Sequence, residues 1–362
     1  MKTYAVYFKP CGALATWPLA SDTLFGAVCW GIRVLGLMDD SQLTGWLDEQ
    51  KAAPVFAFSH AFPYWGESQA RSRLYPRPAT FQPAFTDFDT LAAEWQKLNK
   101  GKTLKSAKAD AAVAGKELKR LEYVSEAVLE QIAAGKIKPV DALRAVLMNS
   151  GPVLSKAGAL WLAPEARAVP AKLFEREAMQ HNHIDRMAGA TVEGMLFYRE
   201  ETFFAPGAGL WAMLRAEAGD FSKFIQPALN YLADTGFGAD RTSGKGQFEI
   251  RVTPEFVTPK AAAPKAVMSL SHYLPGADEI DLQSEALAYT LKTLRPMREQ
   301  KFSRLVTGQK STPVYKQAIR VFEPGSVLTL KNKKEIYGRL ARLTPMDQEA
   351  VFQSGAALMV YL

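Results

Sequence analysis

A glycine-rich stretch between a predicted helix and a predicted strand constrains the fold of this chain more than any other feature. Residues 234–252 read DTGFGADRTSGKGQFEIRV, in which four glycines surround two cations and two hydroxyl side chains. Apolar residues recur at helical spacing over 221–232, ahead of the stretch, and alternate with polar residues over 248–252, behind it. The sequence therefore predicts a helix, a loop and a half-buried strand in that order.

The order of these elements excludes a nucleotide-binding P-loop. A P-loop runs from strand to helix and has Ser or Thr after its lysine, whereas Lys245 is followed by Gly246. Glycines still let backbone N–H groups approach an anion closely, and the two cations of the stretch would attract an anion. A plain glycine-rich connector is the alternative. The residues that we expect to form an anion-binding loop are Gly238, Arg241, Thr242, Ser243, Gly244, Lys245 and Gly246.

Composition favours a packed, cytoplasmic protein with an anionic partner. The chain has 362 residues, 48% of them hydrophobic, which is more than one core usually holds, so we expect two domains. Its net charge of +7 favours a nucleic-acid partner over a membrane. Cys11 and Cys29 are its only cysteines, which provides no disulfide framework and fits a reducing compartment. No stretch approaches the roughly 20 apolar residues of a membrane-spanning helix, and we expect no targeting segment.

The pattern along the chain predicts two α+β units joined by a short proline-rich linker. Residues 2–9 alternate as an opening strand, and a helix follows whose Gly26 and Gly31 predict close packing onto a sheet. Residues 88–150 are rich in alanine and lysine, which predicts a helical insertion with its lysines on a solvated face. Beyond the linker, the order strand, helix (near 284–294), hairpin, helix and strand is that of a ferredoxin-like fold.

Two further segments carry candidate functional residues. Arg71 and Arg73 lie in an extended loop with tyrosine and prolines, where cations and aromatic rings suit a nucleic-acid backbone and its bases. His181 and His183 are two residues apart, but no third ligand stands at a matching distance, so we predict no metal site there. A general acid–base role for either histidine stays open, because imidazole titrates near neutral pH.

Four motifs together resemble the RAMP superfamily of CRISPR effector complexes. They are SDTLFG at 21–26 after the opening strand, NHIDR at 182–186 followed by Gly189, the loop G-x-G-x-x-R-T-S-G-K-G, and EPGSV at 323–327. Within that superfamily the chain is similar to the subunit that binds the 5′ handle of crRNA in type III-A (Csm) complexes. The resemblance spans nearly the whole chain except the helical insertion.

The resemblance implies an α+β chain of two ferredoxin-like (RRM-like) RAMP domains. The first would span 1–256, with the helical insertion and the glycine-rich loop at 236–246, and the second would span 265–362. The resemblance also implies a protein that is not an enzyme and takes no cofactor, metal or small-molecule substrate. Its partners would be the crRNA 5′ handle, the large polymerase-like subunit and the backbone ribonuclease RAMP subunit.

By motif, the handle contacts fall on the glycine-rich loop and extend to Asn182, His183 and Arg186. The basic segment at 302–308 reads FSRLVTG and departs from the Arg-Gly-aromatic pattern of the family. The resemblance therefore assigns no contact to that segment.

Two other functions remain open on the sequence. A metal-independent RAMP endoribonuclease that processes CRISPR repeat RNA would share the fold and would use His181 or His183 as acid or base. A nucleotide-dependent enzyme would use the glycine loop on a phosphate, although the reversed order of elements opposes it. Cleavage of repeat RNA would favour the first, and thermal stabilisation by a nucleotide would favour the second.

Overall fold

The structure is a computed structural model that describes residues 1–15, 17–67, 71–182, 184–254, 256, 258–259, 261, 264, 266–296, 316–343 and 351–362. His183 and the segment 302–308 lie outside the described residues, and so does the side chain of Thr242.

The described residues alternate between helices and short strands. The helices are α1 (Ser21–Val34), α2 (Asp40–Glu49), α3 (Phe85–Leu98), α4 (Leu104–Arg120), α5 (Glu126–Ala133), α6 (Pro139–Met148), α7 (Ala163–Ala166), α8 (Ala218–Asp220) and α9 (Gln226–Thr235). The strands are β1 (Lys2–Pro10), β2 (Phe56–Phe58), β3 (Phe62–Trp65), β4 (Ser72–Pro76), β5 (Tyr123–Ser125), β6 (Val153–Lys156), β7 (Ala159–Leu162), β8 (Phe174–His181), β9 (Ile184–Asp185), β10 (Ala190–Thr191), β11 (Phe197–Phe204), β12 (Ala208–Ala216), β13 (Phe248–Thr253), β14 (Val267–Ser269), β15 (Leu291–Leu294), β16 (Ile319–Phe322), β17 (Val327–Leu328), β18 (Leu340–Leu343), β19 (Val351–Ser354) and β20 (Met359–Tyr361). The predicted mixed α+β class is confirmed.

A nine-stranded sheet forms the centre of the molecule. Its order is β13-β1-β12-β3-β4-β5-β7-β6, with β2 also paired to β12, and all neighbours are antiparallel except β5 and β7. Strand β1 pairs on both edges, with Phe8 opposite Leu210 of β12 and Ile250 of β13. Residues 4–8 are all buried, so both faces of this strand are covered.

Helices α1 and α9 pack against one another beside this sheet. A Cβ built on Gly31 of α1 would lie 3.1 Å from the Cβ of Ala228 in α9, so the glycine allows a close helix–helix approach. The sequence predicted close packing onto a sheet at Gly31, but the partner is a helix. At Gly26 a Cβ would meet nothing within 4 Å.

The segment predicted as a helical insertion contains α3, α4, α5 and α6, with the short strand β5 among them. Helices α3 and α4 approach closely because Gly115 leaves room for the ring of Phe88, which would lie 2.5 Å from a Cβ at that position. Strand β5 joins the central sheet between β4 and β7. The segment is therefore integrated into the sheet rather than appended to it.

A long hairpin projects from the sheet between β7 and β12. Strands β8 and β11 pair from Phe174 opposite Phe204 to His181 opposite Phe197, and β9 and β10 pair near its tip. Almost all described residues from 184 to 200 are exposed. The hairpin therefore presents both faces to solvent over most of its length.

The C-terminal part consists of short paired strands. Strand β14 lies between β17 and β20, and the other pairs are β15 with β16 and β18 with β19. None of the residues described between 266 and 362 is helical, so the helix predicted near 284–294 is wrong. Residues Leu291–Leu294 instead pair with Ile319–Phe322, which shows long-range strand pairing overriding a local helical pattern.

The N-terminal and C-terminal parts share one hydrophobic core. The largest cluster of buried apolar residues includes Phe58 and Val6 together with Leu270, Leu340 and Leu358. Backbone hydrogen bonds also cross between the parts, with the N–H of His60 donating to the carbonyl of Leu270 at 2.8 Å. Within the described chain, no helix has the length and apolar character needed to cross a membrane.

Candidate nucleic-acid interface

The glycine-rich loop leaves α9 through a glycine and continues in a left-handed backbone. Gly236 ends the helix with φ 69°, and its N–H donates to the carbonyl of Leu232 at 2.9 Å. Asp240 has φ 58° and Gly244 has φ 82°, on either side of a 3₁₀ turn at Arg241–Ser243. The loop thus follows the predicted order of helix, loop and strand.

Two of the glycines are required because the two limbs of the loop run side by side. The N–H of Phe237 donates to the carbonyl of Gly246 at 3.1 Å. A Cβ on Gly246, where φ is 70°, would lie 2.2 Å from the carbonyl oxygen of Phe237. A Cβ on Gly236 would lie 2.8 Å from the carbonyl oxygen of Gly246. No other residue fits at these positions without moving the backbone.

The backbone N–H groups at the end of the loop donate to carbonyls of the protein. Those of Ser243 and Lys245 donate to Asp240, at 3.0 and 3.2 Å, and that of Gly244 donates to Arg241 at 3.0 Å. The N–H of Gly246 donates to Ala13 at 3.2 Å. The sequence predicted that backbone amides of this loop would hold an anion, but these four are used in the fold. These four N–H groups therefore already have hydrogen-bond partners within the protein.

Lys245 is anchored to a buried carboxylate of the hairpin. Its Nζ lies 2.5 Å from Oε2 of Glu201, and Nε2 of His181 lies 3.2 Å from Oε1 of the same residue. The side chain of Glu201 is 2% exposed, whereas those of Lys245 and His181 are 23% and 29% exposed. One buried carboxylate therefore holds a lysine of the loop and a histidine of the hairpin at the protein surface.

A second ion pair joins the hairpin to the loop. The guanidinium of Arg199 contacts the carboxylate of Asp240, which raises the pKa of Arg199 through a hydrogen bond and opposite charge. Arg241, Ser243 and Gly244 lie at the accessible end of the same loop, where Ser243 and Gly244 are exposed and Arg241 is half-buried. Cations from two distant parts of the sequence are thus gathered around the glycine-rich loop.

Asn182 and Arg186 lie in the outer part of the hairpin, beyond His181, and both are exposed. Asp185 organises the turn that contains Arg186, because its Oδ1 accepts the N–H of Met187 at 2.8 Å and that of Ala188 at 3.3 Å. Arg186 is therefore exposed on an ordered turn.

Arg73 is already paired inside the protein. Its guanidinium donates to both carboxylate oxygens of Glu126, with the shortest distance 2.6 Å, and to the hydroxyl of Tyr7 at 2.9 Å. Burial raises the pKa of Glu126, and the charge of Arg73 offsets this only in part. Burial lowers the pKa of Arg73, but Glu126 outweighs it and the net shift is upward. The geometry gives Arg73 a packing role beside Glu126.

Arg71 lies over two tyrosine rings, 4.1 Å from the ring centre of Tyr7 and 4.8 Å from that of Tyr64. Its Nε is buried and has no hydrogen-bond partner among the described residues. Arg71 is therefore held by aromatic rings on the side of the sheet where Tyr7 and Arg73 meet.

The sequence did not identify three residues of this site as binding or positioning groups. Arg199 and Glu201 belong to none of the motifs in the sequence, and His181 was considered only as an acid or base. Their pairing with the loop depends on how the hairpin folds back, since Thr202 and Leu14 exchange two backbone hydrogen bonds of 2.8 and 2.9 Å. No local pattern in the sequence reports such a contact.

Comparison with known proteins gives relatives in sequence and in fold. No protein-family model matches the sequence. A protein of Thermococcus onnurineus (strain NA1), named CRISPR system Cms protein Csm4, is 26% identical over 277 residues, covering 76% of this chain and 75% of that protein. A chain in the crystal structure of a Csm3–Csm4 subcomplex of the type III-A CRISPR-Cas interference complex superposes with a TM-score of 0.60 at 13% identity, covering 100% of this chain and 99% of its own.

A chain in the crystal structure of a Csm1–Csm4 cassette with pppApA has a TM-score of 0.54 at 16% identity, covering 100% of this chain and 98% of its own. The fold is thus one found among subunits of CRISPR-Cas complexes. In particular, the chain is Csm4-like, because it is similar to Csm4 in both sequence and fold.

Proposed function

We propose that this chain is a non-catalytic subunit of a type III-A CRISPR interference (Csm) complex that binds and caps the 5′ handle of crRNA. The observation that carries the proposal is the similarity to Csm4 in sequence over 277 residues, together with a fold that is shared along the whole chain. The net charge of +7 supports a polyanionic partner. Its place of action would be the cytoplasm.

The handle would be held mainly by side chains around the loop. Arg241 and Lys245, beside the exposed Ser243 and Gly244, offer charge and hydrogen bonds to phosphates and bases. Asn182, His183 and Arg186 would extend this contact along the hairpin. Arg71 would contribute beside its tyrosines, while Arg73 would support the surface through Glu126.

The protein partners follow from the same similarity. The names of the structural relatives pair Csm4 with Csm1 and with Csm3. We assign equivalent partners to this chain, a large polymerase-like subunit and a backbone ribonuclease RAMP subunit. The chain itself would consist of two ferredoxin-like domains, at 1–256 and 265–362. The succession β1-α1-β2 and β12-α9-β13 around the middle of the sheet supports the first of them.

Replacing Arg241 tests the loop assignment. Arg241→Ala should weaken binding of handle-bearing RNA and reduce the dependence of log Kd on log salt by about 0.7, the value for one phosphate contact on a single strand. Fluorescence anisotropy at several salt concentrations measures both quantities. Arg167→Ala, which removes an exposed arginine outside the loop, is the matched control. Equal affinity and equal salt slope in the two variants would rule out the loop as the handle site.

One observation favours the runner-up, a metal-independent endoribonuclease for CRISPR repeat RNA. His181 and Lys245 meet at the same buried carboxylate, so an imidazole and an ammonium group lie close together at the surface. Incubation of the pure protein with repeat RNA in the presence of a chelator decides between the functions. Cleavage at one position that is lost in His181→Ala would establish the nuclease, and intact RNA would leave binding as the function.

A further inference from the structure

Helix α4 carries a row of cations along one face. Lys105, Lys108, Lys116 and Lys119 are exposed, and at 3.6 residues per turn they fall within roughly 80° around the helix axis. The buried residues of this helix are Ala107, Ala111, Ala114, Gly115 and Leu118, and they are centred about 120° away around the axis. The solvent face of α4 is therefore dominated by positive charge.

Most of this charge is not neutralised within the described part of the chain. Lys108 lies 2.8 Å from Asp89, but Lys105, Lys116 and Lys119 have no ion-pair partner among the described residues. Solvated helix faces commonly mix charges of both signs at this spacing. A row of one sign raises the local potential and favours a polyanion.

The row leads to a small pocket at the C-terminal end of α4. The pocket has a volume of about 300 Å³ and is lined by Arg120, Glu122, Tyr123, Ala157, Gly158, Phe174 and Arg176. Two aromatic rings, two arginines and the carboxylate of Glu122 therefore surround one cavity, in which the arginines outnumber the carboxylate. One wall is the tight turn between β6 and β7, where Ala157 and Gly158 have φ of 52° and 76°.

The aromatic walls are held in place, while the arginines are accessible. The ring of Phe174 lies 4.8 Å from that of Trp17, and the ring of Tyr123 packs edge-on to Phe62 at 6.5 Å. Arg120 and Arg176 are both exposed. Arg176 is 3.7 Å from Glu200, and an exposed ion pair at that distance contributes little. The guanidinium of Arg176 also lies 5.6 Å from the centre of the Trp17 ring. The pocket thus combines fixed rings with two exposed cations.

We propose that α4 and this pocket form a second surface for single-stranded RNA, separate from the glycine-rich loop. One base stacks in the pocket on Tyr123 and Phe174, and its phosphate lies between Arg120 and Arg176. Neighbouring phosphates follow the lysine row over about 21 Å, the rise of the helix from Lys105 to Lys119. Cations that track a backbone beside rings that stack bases are the general means of binding single strands.

The pocket favours RNA over an acidic protein segment. An acidic peptide satisfies the lysines but makes no use of two aromatic rings between two arginines. A base has a π face for the rings and a phosphate for the arginines. The hairpin also connects the two surfaces, because its base strand β8 supplies Phe174 while β11 supplies Glu201 beneath the loop. The proposal does not require that the loop bind a handle.

Charge removal on α4 tests the proposal with the full-length protein. The triple variant Lys105→Ala, Lys116→Ala and Lys119→Ala should bind a generic single-stranded oligoribonucleotide more weakly, with the salt slope of log Kd reduced by up to about 2. The control triple Lys2→Ala, Lys223→Ala and Lys333→Ala removes the same charge from exposed positions elsewhere. Equal losses in the two triples would overturn the proposal, because net charge alone would then explain the binding.

Base stacking is measured independently of charge. An oligonucleotide with one 2-aminopurine should lose fluorescence on binding the native protein and should keep it with Arg120→Glu and Arg176→Glu, which leave both rings in place. Polyglutamate at equal charge should compete poorly. No quenching by the native protein, or competition by polyglutamate as strong as by RNA, would refute a nucleotide pocket.

Comparing RNAs separates this surface from the handle site. The triple variant of α4 should weaken the binding of RNA with a repeat-derived 5′ handle and of RNA without one by the same factor. Arg241→Ala should weaken only the binding of handle-bearing RNA. If Arg241→Ala has no effect while the α4 triple does, the result counts against the proposed function and supports this surface. If the α4 triple has no effect while Arg241→Ala does, this surface is refuted and the proposed function is supported.

Discussion

Gly246 is the residue at which the backbone geometry of the loop is most demanding. Its φ is 70°, and a Cβ there would lie 2.2 Å from a backbone oxygen, which no side-chain rotation relieves. Gly246→Ala should lower the free energy of unfolding by about 1–3 kcal/mol, the usual cost of strain at such a position. Gly26→Ala is the control, since Gly26 is exposed in a helix with open space around it. Thermal or urea unfolding measures both.

The expected contrast has a defined sign. The alanine at position 26 should be neutral or should stabilise α1 by up to about 1 kcal/mol, because alanine favours a helix over glycine. A Gly246→Ala variant as stable as the native protein would contradict the geometry of the loop.

Lys245, a proposed binding residue, also has a structural role through its ion pair with Glu201. Lys245→Ala leaves the carboxylate of Glu201, which is 2% exposed, without its lysine. Breaking a fully buried ion pair costs about 3–5 kcal/mol. Because Lys245 is 23% exposed, we expect the free energy of unfolding to fall by less than that. Glu201→Gln in the same chain removes the buried charge and should recover part of the loss. A double-mutant cycle on unfolding free energies measures the coupling. Additive single effects would show that the two groups do not interact.

This pairing also affects how RNA-binding variants are interpreted. A loss of affinity in Lys245→Ala would combine loss of the proposed phosphate contact with a disturbed loop. Arg241→Ala leaves the ion pair of Lys245 and Glu201 in place and is therefore the cleaner probe of RNA contact.

At the scale of elements, the hairpin separates into a base that organises the site and an exposed outer part. His181 pairs with Phe197 at the end of the long ladder, and Asn182 and Arg186 lie beyond it. Replacing residues 182–196 by Asn-Gly joins the strands through a two-residue turn. We expect the melting temperature to change by no more than about 2 °C, because the removed side chains are almost all exposed.

The same truncation should weaken binding of handle-bearing RNA, since it removes the predicted contacts of Asn182, His183 and Arg186. Anisotropy on the truncated protein checks this, with the melting temperature as the control for folding. Unchanged affinity in a folded truncation would remove the outer hairpin from the RNA interface.

For some helices and strands, a local pattern in the sequence was sufficient to predict the structure. The helix from Ser21 and the glycine-rich loop between a helix and a strand were predicted from periodicity and are confirmed. The segment Leu291–Leu294 has a helical pattern but forms a strand, because its partner at Ile319–Phe322 is distant in sequence and supplies the hydrogen bonds.

For the whole molecule, a buried polar cluster joins the N-terminal and C-terminal parts. Nδ1 of His272 is 2.9 Å from Asp22, the side chain of Gln353 donates to the same carboxylate at 2.5 Å, and the N–H of Ser21 donates to Nδ1 of His60 at 3.2 Å. The rings of His60 and His272 are 4.3 Å apart. Burial, followed by the neighbouring His272, places the pKa of His60 well below its ordinary value.

The charge state of this cluster predicts loss of stability in acid. His60 stays neutral in the folded protein while an unfolded histidine binds a proton below about pH 6.5, so protons favour the unfolded state. Burial tends to raise the pKa of Asp22, but the hydrogen bond and charge of His272 outweigh it and leave it lowered, so its contribution is also lost as pH falls.

We therefore expect the free energy of unfolding to fall between pH 7.5 and 5, by up to about 1.4 kcal/mol per pH unit for each proton taken up. Urea unfolding at several pH values measures the slope. In His60→Asn the amide oxygen can replace Nδ1 as the acceptor for the N–H of Ser21. This variant should show a weaker dependence of the free energy of unfolding on pH above pH 5. Identical slopes in the two proteins would exclude His60 as the titrating group.

Only part of the candidate site was predictable from the sequence. The positions of Arg241, Lys245 and Gly246 in a loop after a helix follow from local spacing and glycine content. The pairing of Arg73 with Glu126 and that of Arg199 with Asp240 join residues that are 53 and 41 positions apart. Neither pair has a spacing that a helix or a hairpin would produce, so no local rule finds them.

The sequence by itself determined the mixed α+β class, the helix–loop–strand unit around the glycines and the resemblance to RAMP proteins. The first two depend on periodicity and on backbone freedom, which are local properties of the chain, and the resemblance rests on four short motifs. The tertiary structure alone decided that the loop amides serve the fold, that Glu201 holds Lys245, and that the lysines of α4 lead to an aromatic pocket. Each of these needs segments that are remote in the chain to be packed together, and long-range packing leaves no local pattern in the residues that take part.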